Sequence, residues 1–407
     1  MYLLTRRLIL LSLLLFLPAF LTACGNKAEN LPSSLDFWGH SAVLDQTGAV
    51  WTWGANGNGQ LGSGSTNDSI TPGKLTFAPM SKIAIGGKQT LALDGAGNLW
   101  SWGCNLNGQL GDGTNITRTA PVGIVSLGSN IKSVAAGASH SLAIDASNNV
   151  YAWGYNNTGQ LGLNTTVDQN TPQLVQGLPL GKVVAAVAAG GDFSLALMDD
   201  GTVYAWGNNV KGQLGIINST VVIANQFFPL PQQVLKLDGV TPLSDIVKIA
   251  AGGSHALAID GNGNIWGWGH NLLGQLGDGT TVDRFGGVQL FTVGSDGYLA
   301  KEVSAGRDHS LALIGDLAET VGLVIATGYN YFGQLGNGVS GNYNLYSSWE
   351  PEVSDITNFK TIVAVGDHSI AKDANGTYWA WGRNSYGQVG DGTRTDRSLP
   401  TELPSIP

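Results

Sequence analysis

Hydrophobic and polar positions along this chain alternate in short runs that glycine, asparagine and aspartate interrupt. Residues 248–277 show the pattern: Lys-Ile-Ala-Ala-Gly-Gly-Ser-His-Ala-Leu-Ala-Ile-Asp-Gly-Asn-Gly-Asn-Ile-Trp-Gly-Trp-Gly-His-Asn-Leu-Leu-Gly-Gln-Leu-Gly. Such runs predict β-strands, and no stretch keeps a 3.6-residue period long enough for a helix. Asp260-Gly-Asn-Gly-Asn, between two runs, predicts a tight hairpin. A Pro-led segment such as Pro121-Val-Gly-Ile-Val supplies a further run, so each unit offers about four strands.

The unit recurs. Gly-Gln-Leu-Gly begins at Gly59, Gly108, Gly159, Gly212, Gly274 and Gly333, and Gly387-Gln-Val-Gly makes a seventh, at intervals of 49, 51, 53, 62, 59 and 54 residues. Periods of this size mean solenoids, propellers or arrays. Four antiparallel strands repeated seven times predict an all-β chain folded as a seven-bladed β-propeller of four-stranded antiparallel blades. Residue sizes agree. Ala-Ala-Gly at 135–137, 188–190 and 250–252 suits inner strands crowded around an axis, whereas ten of the twelve Trp fall in one strand further out, where diverging blades need bulk. That assigns the Trp to the core and not to a sugar-binding platform.

The succession Gly-x-x-His-Ser-Leu-Ala-Leu, then Trp-x-Trp-Gly-x-Asn-x-x-Gly-Gln-Leu-Gly-x-Gly, resembles the regulator of chromosome condensation repeat family over roughly residues 35–405. The resemblance implies a propeller and, for function, a protein-binding scaffold. The family's nuclear namesake is a guanine-nucleotide exchange factor that also binds nucleosomes. Bacterial relatives include secreted propellers that cap the active site of β-lactamases. Exchange activity is not expected of an exported chain, which meets neither a nuclear GTPase nor a GTP pool.

Export is what the N-terminus predicts. Arg6 and Arg7 precede an apolar core, Leu8 to Leu17, far too short to span a bilayer. Leu21-Thr22-Ala23-Cys24 resembles the lipobox of bacterial lipoproteins, which implies a lipoprotein signal peptide over residues 1–23 and lipidation of Cys24. A plain secretory signal cleaved after Ala23 is the alternative. Two or three acyl chains anchor a protein lastingly where one binds marginally. Gly25 stands where an inner-membrane retention signal would place Asp, so an outer-membrane or cell-surface location is expected. Residues 24–34 then form a tether and 35–407 the propeller, with the lipid anchor as the only membrane contact. Without residues 1–23, 18 basic residues face 29 acidic ones, a charge of −11, which disfavours nucleic acid as a partner. Cys104 occupies a position that Ala55, Tyr155, Asn208, His270, Tyr329 and Arg383 fill elsewhere, so it reads as a spectator thiol, and no disulfide framework is expected.

Chemistry within the repeats is not expected. His40, His140, His255, His309 and His368 occupy one repeat position, and Gln89 and Phe193 replace them in the other two units. Equivalent positions in seven blades are spread around a ring and do not converge, so these imidazoles read as structural. Asp308-His309 and Asp367-His368 are strand neighbours that point to opposite faces, not dyads. The turns Asp94-Gly-Ala-Gly-Asn, Asp145-Ala-Ser-Asn-Asn and Asp260-Gly-Asn-Gly-Asn begin like calcium loops but lack the Gly and the later Glu. The Gly-Asp-Gly-Thr runs lack the Lys of a phosphate loop, and no Cys/His cluster or Gly-x-Ser-x-Gly elbow appears. No cofactor and no metal is expected, and the chain is expected not to be an enzyme.

Departures from the repeat are more informative. In units one, two, three and seven, Pro follows the second Gly of Gly-Gln-Leu/Val-Gly by ten residues. Unit four stretches this to sixteen (Gly215 to Pro231), unit six to fifteen (Gly336 to Pro351), and unit five replaces Pro with Gly287. Three consecutive blades thus deviate in one loop class, hence on one face. Phe227, Phe228, Arg284, Phe285, Tyr343, Tyr346 and Trp349 lie there, and aromatics with Arg are the composition of a binding hot spot. The alternative is that they fold back onto the blades. The expectation is a monomeric, non-catalytic, lipid-anchored propeller that binds an envelope or extracellular protein through these residues. An envelope hydrolase or lyase and a glycan-binding propeller are the rival readings. Ring closure is expected through side-chain packing, because the last unit owns its outer strand.

Overall fold

The computed structural model describes residues 39–217, 226–291, 297–316, 322–341, 345–350, 358–404 and 406. The first sheet has three described strands, β1 (His40–Leu44), β2 (Val50–Gly54) and β3 (Ser69–Lys74), and six four-stranded sheets follow. The second sheet sets the pattern: β4 (Met80–Ile85), β5 (Gln89–Asp94), β6 (Leu99–Gly103) and β7 (Arg118–Gly123) pair in sequence order, each antiparallel to the next. The chain is therefore the seven-bladed β-propeller that the repeat predicts. A 3₁₀ turn at Val125–Leu127 is the one helical element among the described residues.

Each blade runs inner strand, second strand, Trp strand, outer strand. Inner strands of neighbouring blades pack side by side around the axis and leave a cavity of about 260 Å³, walled by Ala84, Ala136, Ala189, Ala251, Ala305 and Ala364 and their neighbours. Each of the six described inner strands that start a four-stranded blade carries a one-residue bulge near its start, at the second residue in five and the third in the sixth blade. The core lies between blades. Six indoles, Trp53, Trp102, Trp153, Trp206, Trp268 and Trp381, are wholly buried there. The Gly that ends each Trp strand must be Gly: at Gly103 φ is +105°, and a Cβ would come within 2.4 Å of the Lys88 carbonyl oxygen.

The strand directions define two faces. Loops between the first and second strands, and between the third and fourth, share the upper face; Cys104 N–H, for example, donates to Lys88 O across it. The hairpins between second and third strands lie on the lower face.

Among the described residues the ring closes without strand exchange, through side chains and a backbone bond from Gly392 N–H to Ile70 O at 2.9 Å. The outer strand Arg397–Glu402 pairs with its own blade's Tyr378–Gly382. Between last and first blades, Tyr378 Oη donates to Leu44 O at 2.8 Å, Trp53 Nε1 to Gln388 O at 2.9 Å, and Ser41 Oγ lies 2.8 Å from His368 Nε2.

Candidate functional site

The repeated His is part of a belt that joins blades. His40, His140, His255, His309 and His368 place Nε2 2.8–3.0 Å from a hydroxyl of the next blade: Thr90, Ser194, Ser310, Ser369 and Ser41. Each hydroxyl in turn donates to the carbonyl of a loop Gln: Gln60, Gln160, Gln275, Gln334 and Gln388. The hydroxyl hydrogen is spent on that carbonyl, so the imidazole is the donor through Nε2. The Trp of that next blade donates Nε1 to the same carbonyl in four of these five cases, as Trp102 does to Gln60 at 2.9 Å. All five Nδ1 atoms are buried without a partner, and burial pulls the imidazole pKa down to about 3, or about 4 for His255. Neutral, locked and spread around the ring, they are structural groups. Where Phe193 replaces His, Ala256 replaces the partner hydroxyl, so both sides of that junction are apolar.

A second buried residue, the Asn of Trp-Gly-x-Asn, builds the upper-face loop. Its Oδ1 accepts the N–H of the Leu or Val in Gly-Gln-Leu/Val-Gly, and its Nδ2 donates to carbonyls further on; Asn384, for example, bonds Val389 N–H, Thr393 O and Thr395 O. The loop Gln folds back so that Oε1 accepts a local backbone N–H, as from Asn58, Asn107 or Tyr386. In three blades an Asp–Arg pair completes the loop: Asp112 with Arg118, Asp278 with Arg284, Asp391 with Arg397.

This geometry relocates most of the residues expected to contact a partner. Arg284 is not a departure from the repeat: it pairs with Asp278 at 2.5 Å, and it occupies the register of Arg118 and Arg397. Phe285 is half-buried over Gly212 of the preceding blade, and Phe228 packs against the core between blades four and five. Tyr346 packs against the core around Trp381. Trp349 packs against Ile314 and Ile325, its Nε1 2.7 Å from where a Cβ on Gly277 would stand. That is the place held over Gly111, Gly162, Gly215 and Gly390 by Trp153, Trp206, Trp268 and Trp53. Trp349 thus supplies, from the outer strand, the indole that Thr327 fails to supply from the third. The pairing of Gly328 with Tyr346 also puts Trp349, and not Pro351, in register with Pro172, so the unit-six loop is three residues longer than the norm and not five. Phe227 remains exposed, at 49%. Tyr343 lies outside the described residues.

The same upper face nevertheless carries exposed apolar groups, one residue after the buried Asn. Leu106, Val210, Leu272 and Tyr331 hold this position in blades two, four, five and six, and are 41–52% exposed. Beside Tyr331 lies a charged and aromatic cluster. Tyr331 packs edge-on against Phe332 at 5.0 Å, and the Arg383 guanidinium sits 5.1 Å from the Phe332 ring and 5.8 Å from Tyr386. Arg307 pairs with Asp308 and with Asp367, each at 3.0 Å, and Arg383 with Asp367 at 3.5 Å. Burial pushes the Asp367 carboxyl up to about 6 against the pull of the two guanidiniums, and burial alone takes Asp192 to about 6. Sequence reasoning passed over the residue after Asn because its variation, Leu to Tyr, looks like loop filler.

Catalytic convergence is not what the axis offers. Among the described residues that line the cavity, Arg307 alone is charged. The hairpin carboxylates that begin like calcium loops accept from their own turns: Asp260 Oδ1 takes the Asn262 and Asn264 N–H groups, and Oδ2 the Trp266 indole. Among the described residues no group of three His, Cys, Asp or Glu is placed to hold a metal, and no helix is long and apolar enough to cross a membrane. Cys104 is disulfide-bonded, which corrects its assignment as a spectator thiol; its partner lies outside the described residues.

With this geometry in view, comparison with known proteins is informative. The RCC1-like domain model matches residues 74–406, and the regulator of chromosome condensation repeat model matches residues 47–93. The ultraviolet-B receptor UVR8 of Arabidopsis thaliana is 31% identical over 372 residues, covering 90% of this chain and 80% of that protein. The probable E3 ubiquitin-protein ligase HERC4 of Homo sapiens is 32% identical over 237 residues, 57% of this chain but only 21% of that protein. Among solved structures, yeast RCC1 (Prp20) bound to Kap60 superposes with a TM-score of 0.74 at 23% identity, covering 95% of this chain and 91% of that one. Human WBSCR16 gives 0.72 at 22% identity, covering 88% and 94%. At these identities the structural likeness speaks for the fold alone.

Proposed function

The chain belongs to the RCC1-like domain family, and from that premise we propose that it is a non-catalytic, protein-binding propeller of the bacterial cell envelope, held to a membrane by a lipid on Cys24 that takes the sulfur a disulfide to Cys104 would otherwise use. The observation that carries the reading is the exposed apolar series Val210, Leu272 and Tyr331 on adjoining blades, flanked by Phe332 and Arg383. Apolar and aromatic groups beside a partly desolvated Arg, on loops fixed by buried Asn and Gln, suit a preorganised protein interface. Relatives are in keeping with this: yeast RCC1 was solved with Kap60, and Prp20p was studied for its binding to Gsp1p and histones. The partner here is an envelope or extracellular protein, in keeping with the leader. The described lining of the axis is mostly Ala, Gly, Ile and Val, and the repeated His are buried and neutral, which weighs against the hydrolase, lyase and glycan readings.

The test is cross-linking of the intact chain in its own envelope beside a Leu272→Asp/Tyr331→Ala variant. Both side chains are surface-exposed, so the variant is expected to keep its thermal stability while losing the captured protein. Capture unchanged by the two substitutions would remove the partner from this face.

A further inference from the structure

The lower end of the axis carries a ring of lysines that the protein-binding reading leaves unused. Each described inner strand has its bulge at the second or third residue, at the end away from Arg307, and lysines cluster at that bulge. Lys132, Lys301 and Lys360 are the bulged residues of blades three, six and seven; Lys82 and Lys248 follow the bulge in blades two and five. Among the described inner strands only that of blade four lacks a lysine there, having Ala185 and Ala186, and its Lys182, just before the strand, pairs with Asp200. The strand ends that carry these residues encircle one mouth of the channel, because the same strands line the cavity at residues 83–85, 251–253, 305–307 and 363–366.

The ammonium groups reach around the mouth. Lys82 Nζ donates to Lys132 O at 2.7 Å and Lys248 Nζ to Lys301 O at 2.6 Å, each crossing to the next blade, and Lys132 Nζ bonds Asn148. Those acceptors are neutral. No ion pair within salt-bridge distance to Lys82, Lys132, Lys248 or Lys301 occurs among the described residues; the carboxylate that the described inner strands place near them is Glu302, which accepts the Ile362 N–H and feels the Lys248 charge. The hairpin aspartates further out spend their oxygens on their own turns. On the upper face, by contrast, Arg118, Arg284, Arg307 and Arg397 are paired with Asp. An acidic protein has gathered five of its twelve lysines at one channel mouth.

We propose that the lower mouth of the channel is a binding site for a compact polyanion carrying several phosphate groups. Several ammonium donors on a rigid ring match closely spaced phosphate charges, and the attraction is screened by salt. A free polyphosphate and the phosphorylated headgroup of a lipid share this chemistry.

The experiment is calorimetric titration of the full chain in neutral-detergent micelles, first with sodium tripolyphosphate, then against micelles doped with phosphatidic acid. The wild type is compared with Lys82→Gln/Lys248→Gln/Lys301→Gln and, on the other face, Arg394→Gln. The triple variant is expected to bind about tenfold or more weakly and Arg394→Gln to match the wild type, with binding falling as salt is raised. Lys82 and Lys248 also stitch neighbouring strands, so the single Lys301→Gln, whose ammonium makes no such bond, replaces the triple variant should the latter melt early; a two- to threefold loss is then expected. Loss confined to tripolyphosphate assigns a free ligand, and loss confined to doped micelles assigns a lipid headgroup. No binding of either at low salt, or equal binding by wild type and Lys variants, overturns the proposal.

Discussion

At the residue scale, the repeat spends its most chemically versatile side chain on architecture. Each imidazole links two blades through a hydroxyl already committed to a Gln carbonyl, and Phe193 against Ala256 shows the junction working with both polar partners deleted together. The consequence is a pH dependence whose sign can be worked out. Folded pKa values near 3 lie below the 6.5 of the unfolded chain, so the unfolded state takes up protons first. The stability from this source is complete above about pH 6.5 and is lost as pH falls toward 3. Asp192 and Asp367, raised to about 6, act in the opposite direction between about 4 and 6, as do Glu302 and Asp396, which burial also raises, but these four carboxyls oppose five imidazoles. Urea unfolding between pH 7 and 5 is therefore expected to show falling stability, and His140→Gln, which installs the residue used in blade two, is expected to flatten the slope by about 1 kcal/mol per pH unit averaged over that range. Identical slopes in the two proteins would mean that His140 is not the buried neutral group described here.

At the element scale, the strand pattern was legible and the register was not. Alternating runs, Gly/Asp hairpins and the Trp strand announce four strands per blade, because burial between blades imposes a period of two. Which residue of the sixth outer strand replaces the usual Pro depends on a loop of altered length, and spacing alone pointed to Pro351 where pairing selects Trp349. That shift turns an apparent surface aromatic into the indole missing at Thr327. Trp349→Ala is accordingly expected to cost about 2–4 kcal/mol in denaturant unfolding, the range for truncating a large packed side chain. Thr327→Trp alone overfills the same space and is expected to destabilise by about 1–3 kcal/mol. Combining Thr327→Trp with Trp349→Pro restores the arrangement of the other blades and should recover most of the loss. A double variant no better than the worse single one would show that the two positions do not share one cavity.

At the scale of the whole molecule, the deviation of blades four to six pointed to the upper face, while the residues that present it became visible only once the loops were folded. Arg284 looked unusual because its counterparts, Arg118 and Arg397, are recognised as equivalent only through strand pairing. The remaining whole-molecule question is how the propeller is held. The chain has two cysteines, Cys24 and Cys104, and the sulfur of Cys104 is disulfide-bonded. A thioether-linked lipid on Cys24 and a disulfide between the two cysteines are mutually exclusive within one chain, since each consumes the same sulfur. Intact mass of the protein extracted from its membrane separates them. The lipoprotein reading expects loss of residues 1–23, a mass increase of two or three acyl chains on Cys24, and one free thiol at Cys104 on denaturation. Cys24→Ser is then expected to release the protein into the soluble fraction with its stability unchanged. A chain that retains no acyl mass, gains two protons on reduction and stays soluble would replace the anchor with a covalent strap that ties the N-terminal segment to the upper-face loop of blade two.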